Sequence, residues 1–188
     1  MKIDINKIEK DSLKIKNISD NSYIQSYKEF IKYFDGLDEI KKENLIIGSH
    51  LVYGWMPKVL RLNLRQEKEV LQILNEVKRG VLISKTNLET LRSAIGNSMV
   101  GVSKLLHFIS PKKYAIWDSR VYSYIHNGVK PYDYQIKRPE LYLEYLQEME
   151  KVSKETAVKE IQSTVVKACG YKATPFRAIE LVMFETGR

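Results

Sequence analysis

The chain has 188 residues, 44% of them hydrophobic and 29% charged, and its 31 Lys and Arg against 23 Asp and Glu give a net charge of +8. That mix excludes bulk disorder, and a chain of this length buries about 70% of its unfolded surface without disulfide or metal staples. No apolar run reaches the roughly 18 residues of a membrane span. The single cysteine, Cys169, forms no internal disulfide, and three histidines beside it make a poor metal-ligand set. Met1-Lys2-Ile3-Asp4-Ile5 lacks the apolar stretch of a secretory signal. A cytoplasmic protein without metal, cofactor or membrane is therefore expected, and the positive excess favours a polyanionic partner through counterion release.

Residues 1–20 carry Lys, Ile and Asn without a helical period and predict an extended or flexible arm, with one all-α globular domain over 21–188. Tyr23, Tyr27, Phe30, Ile31 and Phe34 recur at helical spacing before Gly36. A second helix is predicted from Asp38 to about Tyr53, and a third from Glu67 to Lys78, with Val70, Leu71, Leu74 and Val77 on one face. Thr86-Asn87-Leu88-Glu89 has the form of a capping box and predicts a helix to Ile95. A tight connection, Asn97 to Gly101, leads to a short helix from Ser103 to Ile109, and Pro111 breaks the chain. Asp118 is the expected N-cap of the next helix. Pro139, Thr156 and Pro175 open the last three. With no alternating β-branched runs between hairpin turns, the expectation is a bundle of eight to ten helices in two lobes.

The informative stretch is about 86–125. Two short helices joined by a turn containing Gly101 have the outline of a helix-hairpin-helix, whose backbone N–H groups can be aimed at a phosphate. Between residues 85 and 120 stand Lys85, Arg92, Lys104, Lys112, Lys113 and Arg120 against Glu89 and Asp118, so half of the chain's excess charge lies in under a fifth of its length. Val100-Gly101-Val102-Ser103 through His107-Phe108, followed by Ala115-Ile116-Trp117-Asp118-Ser119-Arg120-Val121, resembles the core motif of the helix-hairpin-helix DNA glycosylase superfamily. Ala178-Ile179-Glu180-Leu181 and Thr186-Gly187-Arg188 are similar to the tail of small single-domain 8-oxoguanine DNA glycosylase-like proteins.

The resemblance implies duplex DNA as partner and excision of a damaged or mispaired purine. It gives Asp118 the role of the carboxylate that stabilises positive charge developing on the sugar, which suits an oxocarbenium-like transition state; capping its own helix is a compatible second role. Gly101 and Val102 would clamp phosphate, supported by Lys104, Lys112 and Arg120. Aligning Gly101 with the family glycine puts Ser103 where the nucleophilic lysine is expected, with Lys104 one residue and roughly 100° further round the helix. The reaction implied is base removal by activated water without strand cleavage, unless Lys104 reaches the pocket. His50, Tyr53, Trp55, Met56 and Trp117 are candidates to wall a pocket for an extruded base, or else pack as ordinary core. His107 reads as a satisfied core histidine, and the tyrosines between 122 and 145 read as helix packing. The alternative function is a catalytically inactive helix-hairpin-helix module that binds nucleic acid or protein.

Overall fold

A computed structural model describes residues 1–187. It contains α1 (Ile5–Ser12), α2 (Ser22–Asp35), α3 (Lys42–Trp55), α4 (Glu67–Lys78), α5 (Lys85–Ala94), α6 (Met99–Ile109), α7 (Ser119–Ile125), α8 (Asp133–Ile136), α9 (Pro139–Val152), α10 (Val158–Cys169) and α11 (Pro175–Thr186). One isolated antiparallel bridge, Leu62 to Ile95, is the only β pairing among the described residues, so the protein is all-α, as its apolar periodicity predicts. Among the described residues no helix is long and apolar enough to cross a membrane. Arg188, part of the tail similarity, lies outside the described residues.

Helix α6 is the hub. Every residue from Met99 to Ile109 except Val100 is buried, and α2, α3, α4 and α5 all pack on it. A helix apolar on all sides belongs in the middle of a core. Its histidine fits there because both ring nitrogens are satisfied. His107 Nδ1–H donates to the Tyr114 carbonyl at 2.7 Å, which leaves Nε2 to accept the Tyr27 hydroxyl at 2.9 Å. Complete burial pushes this imidazole down to about 3, so it stays neutral. Helices α10 and α11 pack together, and α11 also rests on α7 and α1.

Three expectations are corrected. Residues 1–20 are not an extended arm. Asp4 caps α1 by accepting the Asn6 and Lys7 amides at 3.1 Å, Ile3 and Ile8 are buried, and α1 packs on α10 and α11. One buried isoleucine in so short a helix, with another just before it, gives no readable period. Helix α5 starts at Lys85, with Ser84 Oγ accepting the Asn87 amide at 3.1 Å, rather than at the Thr86 box. Helix α6 starts at Met99, capped by Ser98, so Gly101 lies in its first turn and outside the connection. The true elbow is Gly96 and Asn97, with φ of +63° and +50°.

Candidate functional site

The elbow is closed. Gly96 N–H donates to the Arg61 carbonyl at 2.9 Å, and the Tyr53 hydroxyl donates to the Ile95 carbonyl at 2.9 Å. Gly101 N–H is taken by Ser98 Oγ at 3.1 Å and Val102 N–H by the Ser98 carbonyl at 3.0 Å. The Tyr53 ring packs across both glycines, so that a Cβ on Gly101 would sit 2.9 Å from Tyr53 Cε2. Gly101 and Val102 are therefore packing positions whose amides face their own helix, which corrects their expected place in a phosphate clamp.

An open cavity of about 480 Å³ lies beside the middle of α6, within the roughly 300–1,000 Å³ of small-molecule sites. The start of α2 supplies Tyr23 and Ile24, the end of α3 supplies Trp55 and Met56, α6 supplies Lys104, the strand-like approach to α7 supplies Ile116 and Asp118, and α11 supplies Arg177, Glu180 and Phe184. Four of these carry charge while almost hidden: Lys104 and Asp118 are each 9% exposed, Arg177 2% and Glu180 1%. Buried charge is costly unless partnered, so four such groups round one hollow mark it as the molecule's functional candidate.

Each is held by the local fold. Asp118 caps α7, its Oδ1 accepting the Arg120 and Val121 amides at 3.0 Å each, which leaves Oδ2 without a partner among the described residues. Lys104 Nζ sits 4.8 Å above the Trp55 ring, a cation–π contact, and makes no ion pair within 4.0 Å among the described residues. Burial lowers its pKa, against the pull of the Asp118 and Glu180 carboxylates. Arg177 lies 4.4 Å over the Tyr27 ring, its Nε donates to the Tyr171 hydroxyl at 3.1 Å, and its Nη1 is ion-paired with Glu180 Oε2. Desolvation pushes the Glu180 carboxyl up to about 7, with Asp118 adding to the rise and Arg177 opposing it. Arg120 is exposed at the mouth, its guanidinium 4.6 Å from the Phe184 ring.

The structure thus brings Asp118, Lys104, Arg120, Trp55 and Met56 to one cavity. It places the other expected residues elsewhere. Ser103 is fully buried facing away, its hydroxyl bonded to the Val100 and Trp117 carbonyls and accepting the Trp117 amide; it corrects the expectation of a catalytic serine. The 100° offset that set Lys104 apart from Ser103 is what turns Lys104 to the cavity. Trp117 is fully buried against Tyr145 at 4.9 Å, and Tyr53 is buried at the elbow, so neither walls the cavity. His50 is exposed in a separate shallow groove beside Ile47 and Leu51, and Lys112 is exposed in the turn after α6. Packing accounts for most of the tyrosines between 122 and 145, since Tyr122, Tyr124, Tyr142 and Tyr145 are buried, whereas Tyr132 and Tyr134 stack on each other in the open, 71% and 63% exposed. Arg177 and Glu180 were missed as site residues. Their signal was an i,i+3 pair of opposite charges inside the otherwise apolar run Phe176–Phe184.

No family model, no curated protein and no solved structure matches the chain.

Proposed function

We propose that the protein binds DNA and removes a damaged or mispaired base by breaking its N-glycosidic bond, with Lys104 as the attacking amine and Asp118 as the anion beside the sugar. The observation that carries this reading is the state of Lys104. An amine stripped of water, lying over an indole in an open cavity and lacking an ion-pair partner, is neutral more often than an ordinary lysine and so more nucleophilic. Asp118, kept in place by two backbone amides, offers its remaining oxygen to positive charge at C1′. Trp55 and Met56 supply apolar walls against which an extruded base stacks. Exposed Arg120, and exposed Lys58 close to Lys104, are placed to meet phosphates flanking such a base.

Attack by Lys104 leaves an imine on the sugar and couples base removal to strand cleavage. This replaces the expectation of hydrolysis by water alone. A place in base excision repair and a cytoplasmic location belong to the same reading. The inactive-module alternative rests on the missing lysine at the family position and on the irregular hairpin; Lys104 in the cavity speaks against the first of these. Borohydride reduction in the presence of duplexes carrying 8-oxoguanine, uracil or an alkylated base tests the proposal. The wild-type protein is expected to form a covalent adduct with at least one of them, and Lys104→Ala to form none. If the wild-type protein neither releases base nor reacts with a preformed abasic site, the reading is wrong.

A further inference from the structure

Amine-driven base removal moves a proton twice: Lys104 must lose one before it attacks, and the departing base must gain one. The cavity holds two buried carboxyls, and their surroundings set them apart. Asp118 accepts two backbone amides on one oxygen, which fixes that carboxyl group beside the place where the sugar cation would develop. Glu180 has no amide donor. One guanidinium N–H holds its Oε2, while Oε1 has no partner among the described residues. Arg177, pinned by the Tyr27 ring and the Tyr171 hydroxyl, keeps that carboxyl in place at the cavity wall.

We propose that Glu180 is the proton carrier of this site. Its carboxylate takes a proton from the Lys104 ammonium through one water in the cavity. The freed Nζ lone pair forms the bond to C1′ as the C1′–N bond breaks and its electron pair leaves with the base. The base then takes the proton from the Glu180 carboxylic acid, which returns to carboxylate. No further reactant is needed. This inference rests on the reading of Lys104 as nucleophile and goes beyond it by naming the partner that makes the amine available.

The surroundings support that division of labour. Besides Arg177 on its own helix, Glu180 is faced by Lys104 from α6, Asp118 from before α7, Tyr145 from α9, Tyr27 from α2, and Cys169 and Tyr171 around the end of α10. Burial raises the tyrosines and the cysteine above their ordinary values, so they stay neutral near pH 7. The groups that exchange a proton there are Lys104 and Glu180, since Arg177 is held cationic.

The working state of the pair carries one proton between them. Below about pH 7 Glu180 is already protonated and cannot receive one; well above that the pair is empty and the base leaves unprotonated. Single-turnover excision by the wild-type protein is therefore expected to follow a bell in pH. Glu180→Gln should slow base release by about 10²–10⁴-fold at neutral pH and turn the bell into a steady rise, because only the amine then titrates. At about pH 10, where a lysine needs no base, the variant should still be trapped by borohydride on a preformed abasic site, as that step releases no base. Since Gln leaves Arg177 unpaired in the interior, the double variant Arg177→Met with Glu180→Gln serves as a second test, with the same loss and the same altered pH profile expected. Excision at the wild-type rate with an unchanged bell overturns the proposal for Glu180 alone. Loss of trapping at pH 10 in both variants, with the fold intact, also overturns it and makes the pair structural. Inertness of the wild-type protein on every substrate overturns the underlying reading instead.

Discussion

The first turn and the middle of α6 carry opposite lessons. At its N-terminus the elbow looks like a binding motif in sequence, yet the amides expected to grip a ligand are bonded within the chain: Ser98 takes the Gly101 and Val102 amides, Arg61 takes Gly96, and the Tyr53 ring packs over both glycines. One turn further on, Lys104 sits in an otherwise apolar helix and looks misplaced, yet it borders an open cavity together with three other buried charges. Local pairing completes a turn and closes it to others. Unused valence, such as the Lys104 ammonium or the second Asp118 oxygen, is what gives a site capacity for a ligand.

That contrast can be broken at either end. The largest effect is expected at the cavity: Asp118→Asn should lower excision by about 10²–10³-fold while leaving the melting temperature close to wild type, because Asn caps a helix as well as Asp does. A drop in thermal stability matching the loss of activity would assign Asp118 to capping alone. The next effect belongs to the elbow. Gly101→Ala drives a methyl group into the Tyr53 ring, which its hydrogen bond to Ile95 holds in place, and should cost about 1–3 kcal/mol in denaturant unfolding. Gly101→Ala should not change the salt dependence of DNA affinity, which it would if that amide held a phosphate. The smallest effect is expected at the mouth. Arg120→Ala should weaken binding to all duplexes alike and reduce the slope of log affinity against log salt by about 1, whereas Lys112→Ala, outside the cavity, should leave that slope unaltered.

Much of the architecture was legible because core helices repeat their apolar residues every three to four positions. Helices α2 to α7 and α9 to α11 were all expected from that periodicity and its breakers, with the starts of α3, α5 and α6 displaced, and Asp118 caps α7 as its position beside Ser119 and Val121 implies. Helix α1 was not legible, since it is held by Ile3 and Ile8 and by the bond from the Tyr124 hydroxyl to Asp11, 113 residues away. The register of α6 was misread for a related reason. Gly101 was taken for a turn residue, but a glycine is also tolerated inside a helix where a neighbouring ring leaves no room for a side chain, and the Tyr53 ring that does so comes from α3. The same error put Ser103 in the site. Of the cavity, Asp118 and Trp55 were visible from their neighbours in sequence. Glu180 and Arg177 were visible only as an odd charged pair, because their role depends on α11 docking against α7, which is distant in the chain.

The contact between Lys104 and Trp55 has an optical consequence. Only two indoles exist in the chain; Trp117 is sealed against Tyr145, and Trp55 alone borders the cavity. An arriving aromatic guest must come between solvent and that one chromophore and displace or neutralise the cation 4.8 Å above it. Its emission is thus a built-in gauge of occupancy, read against the constant background of the buried indole, and requires no label on protein or ligand.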